Sequence, residues 1–282
     1  EDVSNIYKLQ SEMDAETLSV YLSNGEMPEG SYDESKDGVP ITLAMNLSPE
    51  EYFERFNRLL TDNPAYPEDN ELLREFAELG IGAGMCFKPY LSSKELEKFW
   101  REMKESLMPK LIKKTLGFMV RNGSFKFYGD PISRFGTEYE YRCLVAIAGF
   151  GANTVETAVY LKAEEDDSGE KLNAENKYLL HFTADGLPPV GEHGFWSVTA
   201  YGDDDFLISN PLDRYAISNR SDFKLNEDNS VDLILQTEEP NENKGNWLPV
   251  GSGGFHLFLR IYRPESSVLN GIWKAPQITK IG

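Results

Sequence analysis

The sequence predicts an α+β protein with a C-terminal antiparallel β-sandwich of jelly-roll type and N-terminal helices packed on it. Two observations support this class. Between residues 48 and 150 the apolar side chains recur at helical spacing, as at Tyr52, Phe53 and Phe56. After Gly151 they alternate with polar side chains, and short polar loops separate the runs. Strands at this spacing are typical of antiparallel sandwiches.

These patterns divide the chain into three parts. Residues 1–47 are predicted to form an acidic arm that has a short amphipathic start and a polar, Gly- and Pro-containing stretch over residues 23–40. Residues 48–154 are predicted to be a helical region, and residues 155–282 a β-sandwich domain.

The helical region contains clear start and stop signals. Ser48 is a good N-cap, Pro49 suits the first helical position, and acids follow in the first turn. The glycines at residues 80, 82 and 84 indicate the end of a second helix. The expected helices start at Pro49 and at Pro67, and further ones cover 92–121, kinked at Pro109, and 135–150.

Period-two alternation and β-branched residues mark the expected strands. Acidic and glycine-containing loops such as residues 166–169 and 226–229 separate them. The strands are predicted at residues 157–163, 178–183, 195–201, 206–209, 230–236 and 255–262.

The net charge of −19 excludes several classes of partner. An acidic surface repels nucleic-acid phosphates and anionic membranes. Residues 1–50 hold 11 acidic and 2 basic side chains, whereas residues 92–126 hold 9 basic and 4 acidic ones. The two segments could dock in a homo-oligomer, or the lysines could simply cover a solvated helix. No apolar run approaches the roughly 20 residues of a membrane span.

A run of aromatic, Asn-Pro and Arg-Tyr elements stands out in the C-terminal half. It comprises residues 178–182, 187–189, 195–199, Tyr201, 210–211, 214–215, 246–249, 259–262, Pro264, 271–274 and Pro276. In order and spacing it resembles the family called domain of unknown function 1214, over roughly residues 155–281. The resemblance implies a jelly-roll-like sandwich without an established reaction. Its members are often exported, so we expect an extracytoplasmic location, periplasmic or secreted.

The helical part resembles the segment that links this family to a neighbouring domain of unknown function 1254. The similar pieces are residues 49–63, 72–84 and 136–139 with Arg142. Residues 3–22 resemble the tail of that neighbour, whose β-rich body is absent from the chain. The acidic arm is therefore expected to be the tail of a missing N-terminal domain.

Metal and cofactor motifs are missing from the sequence. It has no H-E-x-x-H and no C-x-x-C pair, and the glycines of residues 80–84 follow a helix where a dinucleotide fingerprint follows a strand. We therefore predict no cofactor and no metal. The acids between Asp203 and Asp213 are dense enough for calcium, although a plain acidic turn explains them as well. The same acids with Glu238 are candidates for a glycosidase pair.

His181 and Arg142 are the candidate catalytic residues. In a strand, His181 points away from its apolar neighbours, outward or into a cleft, where an imidazole can transfer protons. Arg142 interrupts an apolar helix face, so its guanidinium needs a partner, either a structural carboxylate such as Glu138 or a bound anion.

Aromatic and arginine side chains of the sandwich are the candidate ligand-binding residues. Flat rings can stack on sugars, and Trp N–H, Tyr O–H and guanidinium groups add hydrogen bonds, although packing is the alternative role. The set is Trp196, Tyr201, Arg214, Trp247, Arg260 and Tyr262.

Two functions remain open at this point. One is the binding or hydrolysis of a carbohydrate-like or other small polar ligand in a cleft between the helices and the sandwich. The other is a non-catalytic assembly module that forms oligomers through its N-terminal arm. Whether the protein is an enzyme stays undecided.

Overall fold

The computed structural model describes residues 4–23, 25, 26, 29 and 38–282. Its contacts divide the chain into two units, residues 1–47 and residues 48–282. The first unit contains the helices α1 (Ser4–Glu12), α2 (Leu18–Ser23) and α3 (Pro40–Met45). Most of the polar stretch expected over residues 23–40 lies outside the described residues.

The second unit begins with helices whose start signals work as expected. Ser48 Oγ accepts a hydrogen bond from the Glu51 amide, and Glu51 accepts one from the Ser48 amide, which completes a capping box. Aromatic rings of Phe53, Phe87 and Trp100 then join the first helix to the third. The helices are α4 (Pro49–Asp62), α5 (Asn70–Ala77), α6 (Ser93–Glu102) and α7 (Met108–Thr115).

Asn57 holds the glycine-containing loop that follows α5. Its side-chain amide donates to the carbonyls of Gly80 and Met85, and its carbonyl accepts from the Gly82 amide at 2.8 Å. Gly80 has a φ of +69°, and a Cβ there would lie 1.9 Å from the Cys86 carbonyl oxygen. Only glycine fits at that position, so the glycine run is a structural helix stop.

The long helix predicted over residues 92–121 is wrong from Leu116 onward. A π-helical turn (Met103–Leu107) separates α6 from α7, and a short 3₁₀ turn (Leu116–Phe118) ends the helical stretch. The chain then forms a hairpin of β1 (Met119–Asn122) and β2 (Phe125–Tyr128). The apolar residues 116 and 119 keep helical spacing in sequence, but pairing with the sandwich decides their conformation.

Two sheets form the C-terminal half. The six-stranded sheet has the order β1-β2-β3-β9-β5-β6, and the four-stranded sheet has the order β10-β4-β7-β8. The further strands are β3 (Ala158–Ala163), β4 (Tyr178–Phe182), β5 (Val190–Gly202), β6 (Ala216–Ser218), β7 (Val231–Gln236), β8 (Trp247–Pro249), β9 (Phe255–Pro264) and β10 (Ile278–Lys280).

The inner faces of the two sheets share one apolar core. Leu161, Val198 and Leu259 from the six-stranded sheet pack with Leu180 and Leu233 from the four-stranded sheet, and all five are fully buried. Burial of such side chains contributes about 1.5–3 kcal/mol each. The predicted α+β class with two antiparallel-rich sheets is thereby confirmed.

Some element predictions need correction. Residues 206–209 are not a strand: Leu207 makes a single bridge to Tyr201, and the edge strand is β6. The pair β7 and β8 runs parallel, an exception to the antiparallel pattern. The helix expected from residue 135 is α8 (Tyr139–Ala148), which packs with Tyr128 of β2 through Tyr141.

Candidate functional site

The side of the six-stranded sheet that faces away from the core is the candidate site. In β9, Leu257, Leu259 and Ile261 are buried in the core. Neighbouring side chains along a strand alternate between faces, so His256 and Arg260 lie on the opposite side of the sheet. This side is called the outer face below.

Strand register brings further polar and aromatic residues onto the outer face. Tyr201 of β5 stands directly opposite His256, and Lys162 of β3 stands opposite Phe258. Directly opposed residues share one face, so these side chains are neighbours. The residues of the outer face used below are Lys126, Tyr128, Tyr160, Lys162, Phe195, Tyr201, His256, Phe258, Arg260 and Tyr262.

Aromatic rings cover much of this surface. Phe195 and Tyr262 stack with centroids 4.4 Å apart and an interplanar angle of 15°. Tyr201 meets Phe258 edge to face at 5.7 Å. Arg260 donates a 2.8 Å hydrogen bond to the Tyr201 hydroxyl, and its guanidinium carbon lies 5.1 Å from the Phe258 ring centre. Three of the predicted ligand residues, Tyr201, Arg260 and Tyr262, are thus brought together.

Charged groups at one end of the outer face form a ridge of alternating sign. The ammonium of Lys162 lies 3.0 Å from a Glu164 carboxylate oxygen and 3.9 Å from Asp205 Oδ1. These three residues are called the charged ridge. Burial alone would raise the pKa of Glu164, but the hydrogen bond and charge of Lys162 outweigh it and lower that pKa below its ordinary value.

His256 is one of the two most buried polar residues on the outer face; it and Thr199 each expose 6% of their surface. The His256 Nε2 lies 3.2 Å from Asp205 Oδ1, yet the angle is wrong for a hydrogen bond, and Nε2 has no hydrogen-bond partner within residues 38–282. Burial of the ring, followed by the charge of Lys162, lowers the pKa of His256 below its ordinary value. The imidazole is therefore neutral at pH 7.

Two cavities adjoin the charged ridge, whose three residues all line the first of them. The first has a volume of about 770 Å³ and is lined by residues such as Tyr128, Lys126 and Phe258. The second has a volume of about 340 Å³ and is lined by residues such as Asn173, Asp203 and His256. Glu164 lines both. The first cavity lies within the usual size range of ligand sites, about 300–1,000 Å³, and the second is near its lower end.

His181, the preferred acid/base candidate, lies elsewhere. Leu180 and Phe182 point into the core, so His181 occupies the outer side of the four-stranded sheet, across the sandwich from Arg260. Its Nδ1 lies 2.6 Å from Asp232 Oδ1, and Asn226 donates to the other oxygen of Asp232. The structure does not bring His181 and Arg142 to one cavity.

Arg142 forms an ion pair with Asp69. A structural carboxylate was one of the two predicted roles for its partner, but the residue suggested from sequence was Glu138. The Arg142 guanidinium donates to both carboxylate oxygens of Asp69 at 3.0 and 2.9 Å, and also to the Gly136 carbonyl. The hydrogen bond to Asp69 raises the pKa of Arg142 above its ordinary value. The pair joins α8 to the 3₁₀ turn that precedes α5.

The other candidate ligand residues pack or hold loops. Trp196 is 2% exposed and belongs to the core. Trp247 is buried, and its indole nitrogen donates to the Gln236 carbonyl. Arg214 donates to the carbonyls of Lys244 and Trp247. These geometries match the packing alternative for each residue.

The acidic loop after β5 shows no metal cage. Within the described part of the chain, no group of three or more His, Cys, Asp or Glu side chains could hold a metal ion. Asn210 instead organises its own turn, accepting from the amides of Leu212 and Arg214. Glu238 follows β7 of the four-stranded sheet, whereas Asp203 and Asp205 follow β5 of the six-stranded sheet.

Sequence reasoning did not select Lys162, Glu164 or Asn173, and among the histidines it preferred His181 to His256. A signal existed: lysine, histidine and arginine alternate with core residues in β3 and β9. Such alternation is also typical of a solvated face, so only the register of the strands distinguishes the two cases.

Comparisons with known proteins identify relatives but no activity. Residues 157–266 match the family described as "Protein of unknown function (DUF1214)". That match covers most of the sandwich, from β3 to β9, and contains every outer-face residue except Lys126 and Tyr128. No match is found among curated proteins.

A solved structure shows a related fold. The VPA0106 protein from Vibrio parahaemolyticus is similar with a TM-score of 0.63 and 22% identity, over 94% of this chain and 62% of that chain. The chain thus spans about 62% of the length of that protein. An uncharacterized protein from Burkholderia cenocepacia matches at 12% identity and a TM-score of 0.33, over 68% of this chain and 45% of that chain. At 22% identity the likeness to the Vibrio protein concerns the fold alone.

Over residues 4–23, 25, 26, 29 and 38–282, none of the helices combines the length and the apolar character that a membrane span requires.

Proposed function

We propose that the outer face of the six-stranded sheet binds a neutral, hydroxyl-rich ligand of the carbohydrate class. The observation that supports this most directly is the buried Nε2 of His256, which lacks a hydrogen-bond partner within residues 38–282 and lies beside an aromatic surface. A buried polar atom without a partner costs about 1–3 kcal/mol, and a bound ligand removes that cost.

A hydroxyl group suits His256 in either neutral tautomer. If Nε2 carries the proton, a hydroxyl oxygen accepts from it, and if Nε2 has the free lone pair, a hydroxyl donates to it. A carboxylate or a phosphate could serve only the protonated nitrogen. The site therefore favours a ligand whose polar groups both donate and accept.

The charges of the outer face favour a neutral ligand. Lys162 is balanced by Glu164 and Asp205, and Arg121 and Lys126 both approach Glu165 at 3.4 and 3.9 Å. Because the opposite charges cancel, this surface offers many hydrogen-bonding groups but no strong net positive or negative potential. Phe258 and its neighbouring rings offer apolar faces of the kind on which sugar rings stack.

Binding fits the site better than hydrolysis. Glu164 and Asp205 contact the same ammonium, so their carboxylates are near neighbours, as in a glycosidase. A glycosidase also needs a carboxylic acid with a raised pKa, and the pKa of Glu164 is lowered. A lowered pKa holds Glu164 in the ionised form, which accepts hydrogen bonds but cannot donate a proton.

Isothermal titration calorimetry against a panel of mono- and disaccharides tests the proposal. Phe258→Ala should weaken the binding of any sugar that binds the natural chain by about tenfold or more. Tyr90→Ala is the matched control, because Tyr90 is an exposed aromatic residue of the helical region. Both variants should keep the melting temperature within a few degrees. Absence of sugar binding, or equal affinity in both variants, overturns the proposal.

The remaining expectations concern the chain outside this site. The acidic arm as an oligomerisation element, its origin as the tail of a domain of unknown function 1254, and an extracytoplasmic location stay predictions. Light scattering of the full chain and of a chain starting at Ser48 tests the first of them, because loss of the arm should then reduce the molecular mass of the assembly.

A further inference from the structure

We infer that the ligand is an oligosaccharide chain whose successive rings occupy both cavities and cross the charged ridge between them. This inference rests on the proposed function and adds the number of subsites. It comes from the arrangement of the two cavities, which share Glu164 as a common wall.

The first cavity provides the larger subsite. Its aromatic floor consists of Phe258 and Tyr128, and Arg121, Lys126 and Ser124 supply polar groups around it. An apolar floor with polar groups at its edge is the usual composition of a small-molecule site. A sugar ring can lie on this floor with its hydroxyls toward the rim.

The second cavity repeats this composition on a smaller scale. Leu172 and Phe255 are buried apolar residues in its wall, and Asn173, Asp203 and His256 supply polar atoms. His256 provides the buried Nε2 that has no hydrogen-bond partner within residues 38–282. The second cavity therefore contains the polar atom that most needs a ligand.

Gly254 shapes the second cavity through the absence of a side chain. A Cβ at this position would lie 2.5 Å from both carboxylate oxygens of Asp203, closer than contact distance allows. The glycine leaves room for the Asp203 carboxylate at the cavity wall, where it can accept hydrogen bonds from ligand hydroxyls.

The charged ridge can accommodate the linkage between two sugar rings. Its opposite charges are paired, and it carries many hydrogen-bonding atoms. Lys162 bridges Glu164 and Asp205, and Asp205 in turn approaches His256 in the second cavity. A polar chain can therefore contact donors and acceptors continuously from one cavity to the other. A single ring would fill one cavity and leave the other to solvent.

Affinity as a function of chain length tests the inference. The probes are the one-, two-, three- and four-ring members of the glucose, xylose and N-acetylglucosamine series, measured by calorimetry on the full chain. In a series that binds, we expect a longer member to bind the protein about tenfold more tightly than the one-ring member does. Equal affinity of one-ring and longer members overturns the inference while the proposed function survives, and no binding in any series overturns both.

Variants of the second cavity give an independent readout. Asp203→Ala and Asn173→Ala should weaken the binding of the longer members by a larger factor than the binding of the one-ring member. Tyr128→Ala, in the first cavity, should weaken the binding of all lengths. An equal loss for all lengths in the Asp203 and Asn173 variants, with melting temperatures preserved, contradicts the two-subsite arrangement.

Discussion

Nε2 of His256 lies 3.2 Å from Oδ1 of Asp205 without the geometry of a hydrogen bond. The imidazole is buried beneath the outer face, whereas the Asp205 side chain is largely exposed. The nitrogen itself has almost no accessible surface, so a ligand hydroxyl reaches it where it displaces the exposed Asp205 carboxylate. This relationship connects the second cavity to the charged ridge and underlies the proposed ligand site.

The pKa of His256 predicts how stability depends on pH. Because that pKa is lowered in the folded state, the unfolded chain binds the proton more readily once the pH falls below about 6.5. The free energy of unfolding should therefore decrease from pH 7 toward pH 5 and level off below the folded-state pKa. Urea unfolding at several pH values measures this dependence.

His256→Gln should remove the His256 part of that pH dependence. His181→Gln is the control, because His181 is exposed on the opposite side of the sandwich. An unchanged slope between pH 7 and pH 5 in the His256 variant would contradict the assignment of a buried neutral imidazole.

Arg260 should contribute to ligand binding through its position between Tyr201 and Phe258. Arg260→Ala removes the hydrogen bond to the Tyr201 hydroxyl and the contact with both rings, and we expect about tenfold weaker sugar binding. Arg74→Ala, in the exposed helix α5, should bind as the natural chain does. Calorimetry measures the sugar affinity of each variant. Equal affinities of Arg260→Ala and the natural chain would place Arg260 outside the site.

The pair of Arg142 and Asp69 should stabilise the fold and leave binding unchanged. A charge-assisted hydrogen bond of this kind contributes about 1.5–3 kcal/mol, so Arg142→Ala should lower the free energy of unfolding by that order. A double-mutant cycle with Asp69→Asn isolates the coupling. Arg134→Ala, which breaks an exposed pair with Glu156, should cost less than about 1 kcal/mol. Loss of sugar binding in folded Arg142→Ala protein would restore the earlier functional assignment.

Asn57 should be among the costliest polar side chains to remove from the helical region. Asn57→Ala leaves two carbonyls and one amide of the glycine loop without partners, and we expect a loss of about 2–3 kcal/mol. The exposed Asn63 donates only to the carbonyl of Leu59 in its own helix, so Asn63→Ala is a matched control. Urea unfolding monitored by tryptophan fluorescence compares the two, and similar losses would contradict the role of Asn57.

Trp247 should act in packing rather than in binding. Trp247→Phe keeps most of the buried ring but removes one of the two hydrogen bonds to the Gln236 carbonyl, which still accepts from the Val250 amide, so we expect a loss of about 0.5–1.5 kcal/mol. Sugar affinity should not change. A weaker affinity at preserved stability would mean that Trp247 contacts the ligand.

Strand alternation explains why much of the sandwich could be predicted from sequence. Leu257, Leu259 and Ile261 alternate with polar or aromatic residues, and the core lies where this pattern puts it. The hairpin of β1 and β2 could not be predicted in the same way. Met119 continues the helical spacing of the preceding residues, and only long-range pairing of β2 with β3 turns this segment into a strand.

The site was predictable in part for the same reason. Tyr201, Arg260 and Tyr262 were selected as aromatic and guanidinium groups of the sandwich, and they do share the outer face. Lys162 and His256 resemble ordinary outward residues of a strand in the sequence. Their neighbours are set by the register between β3, β9 and β5, and a single sequence does not specify register between distant strands.

A crystal structure of the chain with a bound oligosaccharide tests the central claim most directly. We expect one sugar ring against Phe258 in the first cavity and a hydroxyl within about 3.2 Å of Nε2 of His256 in the second. A sugar bound at the four-stranded sheet near His181, with the outer face occupied only by water, would contradict it.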